Sequence, residues 1–380
     1  MSTSAPRPVT DTDPGTRLDL DPGIDPGIDV AELTARLIDI ESVSGDETRL
    51  ADAVEAALRP LAHLEVVRDG DALMARTSTG AAERVILAGH LDTVPLPATA
   101  GATGTVPSTR RDGMLHGRGA TDMKGGVAVQ LALAAAVTAP VRDVTWVFYD
   151  HEEVEAAFSG LGRLVEHHRD WFDADFGILL EPTNGTVEGG CNGTARFEVR
   201  LHGTAAHSAR AWMGHNAIHD AAEVLVRLRD HAPATVTVDG LAFRESLNAV
   251  RIAGGRAGNV IPDETVIEVN YRFAPDKTVD AADAVVRDLL DGFDVVRTDG
   301  AAGARPGLDH PAAAGFVAMV GAEPLPKYGW TDVARLSALG VPAVNFGPGD
   351  ALLAHTDDEH VDPEAIRTCH AVLLRWLTER

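Results

Sequence analysis

The stretch Val85-Ile-Leu-Ala-Gly-His-Leu-Asp-Thr-Val-Pro95 sets the fold class. Its first five residues carry no polar side chain, as a strand buried on both faces of a parallel sheet requires. The run then ends abruptly on His90 and Asp92. Three other segments repeat the pattern: Val144-Thr-Trp-Val-Phe-Tyr149, Phe176-Gly-Ile-Leu-Leu180 and Val341-Pro-Ala-Val-Asn-Phe346. Glu152 and Glu153 follow the first of these, Glu181 follows the second, and His355 lies in the loop after the third. Asp122 sits on the Gly-rich turn Arg118-Gly-Ala-Thr-Asp-Met-Lys-Gly-Gly126, ahead of an Ala-rich helix. In open α/β sheets, ligands gather outside the carboxyl ends of the strands. His90, Asp122, Glu153 or Glu152, Glu181 and His355 are therefore expected to converge on a metal centre.

Residue chemistry narrows that expectation. His90 and Asp92 are two apart at a strand end and share a face. A carboxylate beside a metal-bound imidazole orients the ring and raises its basicity, so Asp92 reads as support for His90. Adjacent Glu152 and Glu153 cannot point the same way on regular structure. One can bind metal while the other acts as a base, and the residues alone do not assign the two roles. Acids favoured by a helix N-terminus are the competing explanation there. A phosphate cradle competes for the glycine-rich turn, but the spacing G-x-x-x-x-G-K-[ST] is missing. The chain has no G-x-S-x-G elbow and no C-x-x-C pair. An oxygen-rich site with two histidines suits zinc or cobalt, with two ions bridged by one carboxylate.

Composition limits the partners. The 380 residues carry a net charge of −24, so nucleic acid and anionic membranes are poor partners. Lysine occurs only at Lys124, Lys277 and Lys327, and arginine supplies the other cations. Cys191 and Cys369 make no disulfide framework, which points to a reducing compartment. No leader pattern and no run long enough to span a bilayer are evident, so a soluble cytoplasmic protein is expected.

Along the chain, residues 1–28 read as a loose acidic extension around Asp21-Pro-Gly-Ile-Asp-Pro-Gly-Ile-Asp29. A helix is expected from Asp29, with Val30, Leu33, Leu37 and Ile38 on one face. Strands and helices then alternate to about Thr194, as in a mostly parallel sheet. After Gly193 the character changes to alternating strands with one wet face, beginning with Ala195-Arg-Phe-Glu-Val-Arg-Leu-His202. The order from there is β-α-β-β-α-β, the split unit of ferredoxin-like domains. The expected architecture is an α/β catalytic domain over 29–194 and 299–380, interrupted by an inserted α+β domain over 195–298. A wet-faced sheet with open edges suits a lid or dimer contact. His207, in the turn Gly203-Thr-Ala-Ala-His-Ser208, is placed to face another surface, whereas His215 and His219 read as surface residues of the inserted helix.

Taken together, Gly89-His-Leu-Asp-Thr-Val-Pro95, Gly117-Arg-Gly-Ala-Thr-Asp-Met-Lys-Gly-Gly126, His151-Glu-Glu153, Leu180-Glu-Pro-Thr183 and a late His355 resemble the M20 family of dinuclear zinc amidohydrolases and peptidases. The resemblance runs from about residue 30 to the C-terminus. Further stretches are similar to the succinyl-diaminopimelate desuccinylases of actinobacterial type within it. They include Ala206-His-Ser-Ala-Arg-Ala-Trp212, Ala257-Gly-Asn-Val-Ile-Pro-Asp263, Asn270-Tyr-Arg-Phe-Ala-Pro-Asp276 and Lys327-Tyr-Gly-Trp-Thr-Asp-Val333. The resemblance implies a zinc-peptidase-like catalytic fold and two Zn2+ ions, with Co2+ able to substitute. It implies His90, Asp122, Glu153, Glu181 and His355 as metal ligands, with Asp122 bridging. It implies Glu152 as general base, Asp92 as the residue orienting His90, and His207 as a donor reaching the site of a second subunit in a homodimer. Asn259, Arg272 and Thr331 match substrate-contacting positions, and Arg210 and Arg251 are further cations available to a carboxylate. The implied activity is hydrolysis of N-succinyl-LL-2,6-diaminopimelate. Another deacylase, such as one acting on acetylornithine, or a dipeptidase is the alternative, and a non-catalytic metal-binding relative is a remote one. His151 departs from the family pattern before the Glu pair.

Overall fold

The computed structural model describes residues 29–379, so the expected acidic extension lies outside the described residues. In chain order the first half forms α1 (Val30–Ile38), α2 (Thr48–Leu58), β1 (Glu65–Asp69), β2 (Ala72–Arg76), β3 (Arg84–His90), β4 (Thr109–Arg111), β5 (Met114–His116), α3 (Lys124–Ala136), β6 (Asp143–Tyr149), α4 (Gly160–His167) and β7 (Phe176–Leu179). Next come β8 (Glu188–Gly189), β9 (Gly193–His202), α5 (Ala217–Asp230), β10 (Thr235–Val238), β11 (Leu241–Arg244), β12 (Ser246–Gly254), β13 (Glu264–Phe273), α6 (Val279–Leu289) and β14 (Asp294–Ala301). The chain closes with α7 (Pro311–Val320), β15 (Leu325–Pro326), α8 (Val333–Ala338), β16 (Ala343–Asn345), β17 (His360–Val361) and α9 (Pro363–Thr378).

Two compact units result. The first runs to Val187, takes in Pro311–Glu323 and resumes at Asn345. Its strands lie in the order β1-β2-β6-β3-β7. β3 pairs in parallel with both β6 and β7, while β2 runs antiparallel to β6 and β1 antiparallel to β2. The long apolar runs behave as their composition demands: every residue of β6 and β7, and all of β3 after Arg84, is buried. α1 begins where Asp29 caps it by accepting the Ala31 N–H at 2.9 Å, and it buries Val30, Leu33, Leu37 and Ile38 as its spacing predicts.

α3 is buried from Lys124 to Ala134, because its Ala and Gly residues let it lie close over the sheet. At Gly126 a Cβ would collide with the Leu180 carbonyl, so glycine is required there. Gln130 ties α3 to two strands at once, donating to Leu87 O at 3.0 Å and Val147 O at 2.9 Å. Phe176, Phe316, Phe346 and Trp376 pack edge-on and tilted, with ring centroids 5.0–6.3 Å apart, and anchor α7 and α9 to the sheet. That cluster fixes Phe346, whose N–H donates to Leu179 O at 2.8 Å, and so holds the root of the loop that carries His355.

The second unit comprises Glu188–His310 and Pro324–Val344. Its antiparallel sheet has the order β12-β13-β9-β14. With α5 and α6 it has the β-α-β-β-α-β order read from the sequence, plus a hairpin, β10–β11, that the sequence did not announce. Phe197, Val199, Ile267, Val269, Tyr271 and Phe273 project from one sheet face into a core with Ala221, Val224, Val286 and Leu290 of the helices. The unit boundaries lie outside the expected divisions at 194/195 and 298/299. β8 pairs in parallel with β15, Cys191 and Ala304 exchange backbone hydrogen bonds, and Lys327 Nζ lies 3.0 Å from Glu188 Oε2. These contacts draw residues 188–194 and 324–344 into the second unit.

Candidate metal centre

The carboxyl ends of β3, β6 and β7 deliver His90, the Glu152–Glu153 pair and Glu181 to one edge of the first unit's sheet. His90 is 1% exposed. Its Nδ1 lies 2.9 Å from the Asp92 carbonyl oxygen, so a neutral ring carries its proton on Nδ1. Nε2 is then a lone-pair donor, and it faces Asp122 Oδ1 at 3.1 Å. The other Asp122 oxygen faces His355, with Oδ2 3.4 Å from Nε2, and His355 Nε2 also lies 2.9 Å from Glu153 Oε1. One carboxylate thus addresses two imidazoles with its two oxygens.

Ligand atoms of His90, Asp122 and Glu181 lie within 4.8 Å of one another, as do those of Asp122, Glu153 and His355. The sets share only Asp122, and together they contain all five expected ligands. A third set, His90 with Glu152 and Glu153, places Glu152 beside the same cluster. Two imidazole nitrogens and three carboxylates suit zinc-type ions. The protonation behaviour of the metal-free site agrees. Burial works against the charged form of His90, yet Asp122, Asp92 and Glu152 raise its pKa well above the ordinary value. Hydrogen bonds to Asp122 and Glu153 raise His355 to about 10. Burial would lift Asp122, but His355 and His90 hold it well below the usual carboxylate range. Protons occupy positions where cations would stabilise the same carboxylates. The residues fit a pair of metal ions, with His90, Asp122 and Glu181 around one and Asp122, Glu153 and His355 around the other.

Asp92 stands beside His90, as expected, and has a second set of contacts. Its carboxylate oxygen Oδ1 is 3.5 Å from His90 Nδ1, farther than its own main-chain carbonyl, so the carbonyl makes the ring's close contact. The carboxylate also accepts the N–H groups of Glu152 and Glu153, at 3.0 Å each, and the Ser44 hydroxyl at 2.7 Å. Burial would raise this carboxyl; hydrogen bonding and charge from His90, with Ser44 and the Glu152 N–H, hold it at about 2. Asp92 therefore sets the turn that presents both glutamates. His151, at φ 58°, turns away to Asp150 Oδ2 at 2.7 Å and to Glu47 Oε1 at 3.4 Å.

Sequence reading missed the support beneath Asp122. Glu359 Oε1 accepts the N–H groups of Thr121 and Asp122, each at 3.1 Å, and its Oε2 pairs with Arg118 at 2.8 Å. Glu359 lies in the acidic run Asp357-Asp-Glu359, where nothing separates a buried acid from solvated ones.

The remaining expected residues lie in the second unit. His207 is exposed, and its Nδ1 accepts the Ala209 N–H at 3.1 Å, so a neutral ring carries its proton on Nε2. Arg272 projects from β13 and donates through Nε to Asn270 Oδ1 at 3.1 Å. Thr331 is buried, its carbonyl 3.7 Å from Cys191 Sγ. Asn259 lies on an exposed loop and accepts the Ser208 N–H through its main-chain carbonyl. Arg251 is held by Glu268 at 2.8 Å, and Arg210 lies on the exposed turn after His207. His215 precedes α5 rather than lying on it, and its Nε2 is 2.6 Å from Asp220 Oδ2.

Residues 86–379 match the model of peptidase family M20/M25/M40. The chain belongs to this family. A Mycobacterium tuberculosis H37Rv protein assigned as a succinyl-diaminopimelate desuccinylase is 52% identical over 352 residues, covering 92% of this chain and 98% of its own. The succinyl-diaminopimelate desuccinylase of Corynebacterium glutamicum is 43% identical over 372 residues, covering 95% and 99%. Among solved structures, the M20 metallo-carboxypeptidase Sso-CP2 of Sulfolobus solfataricus aligns with a TM-score of 0.75 at 15% identity, over 93% of this chain and 98% of that one. That likeness supports the M20 fold. Among the described residues no helix is long and apolar enough to cross a membrane.

Proposed function

We propose that this M20 hydrolase cleaves N-succinyl-LL-2,6-diaminopimelate to succinate and LL-2,6-diaminopimelate, a step of diaminopimelate and lysine synthesis in the cytoplasm. The observation that carries a hydrolytic reading is the pair of ligand triads sharing Asp122, with Glu152 alongside. The substrate rests on identities of 52% and 43% over nearly the whole chain to proteins given that activity.

His90, Asp122 and Glu181 would hold one Zn2+, and Asp122, Glu153 and His355 the other, with Co2+ able to replace them. Ions bound there would polarise the scissile carbonyl and lower the pKa of a water. Glu153 Oε1 lies 2.9 Å from His355 Nε2, as its part in the second triad requires, and the family resemblance gives proton transfer to Glu152. Glu152 takes the proton from the attacking water and delivers it to the departing amine. The two steps need one group that is first base and then acid, and a carboxylate on a fixed turn meets that need. Asp92 keeps Glu152 and Glu153 apart in role by fixing both of their amide groups. His207, with Nε2–H outward, donates to the developing oxyanion of the other subunit's substrate in a homodimer. The second unit then serves as lid and dimer contact. The exposed Val250 and Ile252 on edge strand β12, at 63% and 48% exposure, suit that contact. Asn259, Arg272 and Thr331 would contact the substrate.

The test is amine release from N-succinyl-LL-diaminopimelate beside N-acetylornithine, using metal-stripped protein with Zn2+ or Co2+ restored. Metal-dependent turnover of the succinyl compound is expected. Preference for acetylornithine would overturn the substrate assignment and keep the reaction class.

A further inference from the structure

On the open face of the second unit's sheet, opposite the helices, most charges are neutralised locally. Arg200 pairs with Glu198 at 2.7 Å, and Arg251 with Glu268 at 2.8 Å. Arg196 and Arg272 break this pattern. In the β13–β9 register Arg272 faces Thr194 and Arg196 faces Asn270. The two arginines are therefore diagonal neighbours on one face, within reach of each other's long side chains. Neither forms an ion pair among the described residues. Asp299 of β14 stands opposite Arg196, next to a register shift between Arg297 and Asp299, and makes no ion pair with it.

The base of this pair is fixed. Asn270 Nδ2 donates to Thr194 Oγ1 at 3.3 Å, which turns its Oδ1 toward Arg272, where it accepts from Nε at 3.1 Å. That bond holds the Arg272 guanidinium and leaves its two terminal nitrogens for another acceptor. Burial and the nearby Arg196 both push Arg272 below its ordinary pKa, the mark of a cation missing its counter-charge. In a chain of net charge −24, two adjacent uncompensated guanidinium groups favour an anion between them.

We propose that Arg196 joins Arg272, already placed as a substrate contact, in a two-pronged carboxylate site on this sheet face, and that Arg196 is a specificity-determining residue for the ligand. The ligand's identity rests on the hydrolase reading; the existence of the site does not. N-succinyl-LL-2,6-diaminopimelate offers a carboxylate on its acyl end and others on its amino-acid end, and the chemistry of recognition is the same for each.

The test uses the full-length, metal-loaded protein and the variants Arg196→Ala and Arg196→Lys. Arg196 is exposed and its side chain makes no hydrogen bond or ion pair among the described residues, so both variants should melt with the wild type. KM for the succinyl substrate is expected to rise about 10-fold or more in Arg196→Ala, the loss of one charge-assisted contact, with kcat changing less and Arg196→Lys recovering part. Inhibition by succinate and by LL-diaminopimelate, measured separately, separates the sources. Weakened succinate inhibition places the acyl carboxylate at the pair, and weakened diaminopimelate inhibition places an amino-acid carboxylate there. KM and both inhibition constants within twofold of wild type would overturn the proposal. If the wild type does not turn over the succinyl substrate, the hydrolase reading fails separately. Calorimetric titration of succinate and LL-diaminopimelate then decides the site: a loss of binding in Arg196→Ala supports it, and equal or undetectable binding in both proteins overturns it.

Discussion

Arg118 and Glu359 form an ion pair of 2.8 Å with side chains only 3% and 1% exposed. The free edge of that pair is put to use, since Glu359 Oε1 accepts the main-chain N–H groups of Thr121 and Asp122. The carboxylate that addresses both imidazoles is thus positioned through its own backbone. Glu359→Ala should strand the Arg118 charge and cost about 3–5 kcal/mol of stability. It should also weaken metal affinity by about 10–100-fold, as loss of outer support does. Replacing both partners, Arg118→Met with Glu359→Leu, should recover much of the stability but not the metal affinity. Thermal melts and chelator competition check both halves; recovery of affinity by the double variant would refute the positioning role.

Glu152 and Glu153 share one anchor in Asp92, and Glu153 Oε1 lies 2.9 Å from His355 Nε2, while the family resemblance makes Glu152 the base. Glu153→Gln should therefore lose metal affinity along with activity. Glu152→Gln should keep both ions and lose about 10²–10⁴-fold in kcat. Metal content by elemental analysis, read beside turnover, separates the two. Equal metal loss in both variants would mean that Glu152 is itself a ligand.

How much of this was legible in the sequence follows from how each part is encoded. β3, β6 and β7 are buried on both faces, so their composition is continuous and apolar, and the ligands stand out at their ends. The strands β9 and β13 alternate and were equally plain. The hairpins β1–β2 and β10–β11 are short, and β4 is Thr109-Arg-Arg111, exposed throughout, which no periodicity distinguishes from a loop. Asp92 stands beside His90 as the spacing predicts, but its further contacts, to two amides, depend on how the turn after β6 approaches. Arg196 looked like one more polar residue in an alternating strand. Its meaning depends on Arg272, 76 positions later, which only the register brings beside it.

Both thiols should be chemically silent in the native protein. Burial pushes Cys191 up to about 11, and it raises Cys369 further still. The reactive species is the thiolate, which neither site supports near neutrality. An aromatic disulfide reagent at pH 8 should label no thiol in the folded protein and two after denaturation. Rapid labelling of one thiol without denaturant would show local opening around it.

Asp92 makes a pH prediction for the metal-free protein. Its folded pKa of about 2 lies below the ordinary 3.8, so the unfolded chain binds this proton more readily. The stabilisation, about 2 kcal/mol, is complete above about pH 5 and is lost as pH falls through 4 toward 2. Asp92→Asn removes it at every pH and adds a conflict, because an amide NH2 must face one of the two N–H groups that the carboxylate now accepts. Protonating Asp92 in the wild type produces a similar conflict, since one oxygen becomes a donor. The stability gap between wild type and Asp92→Asn should therefore stay constant from pH 7 to about 5 and narrow below about 4. Urea titrations of metal-free protein at pH 7, 5, 4 and 3 measure it. A gap that persists undiminished at pH 3 would mean that Asp92 carries no such depressed pKa.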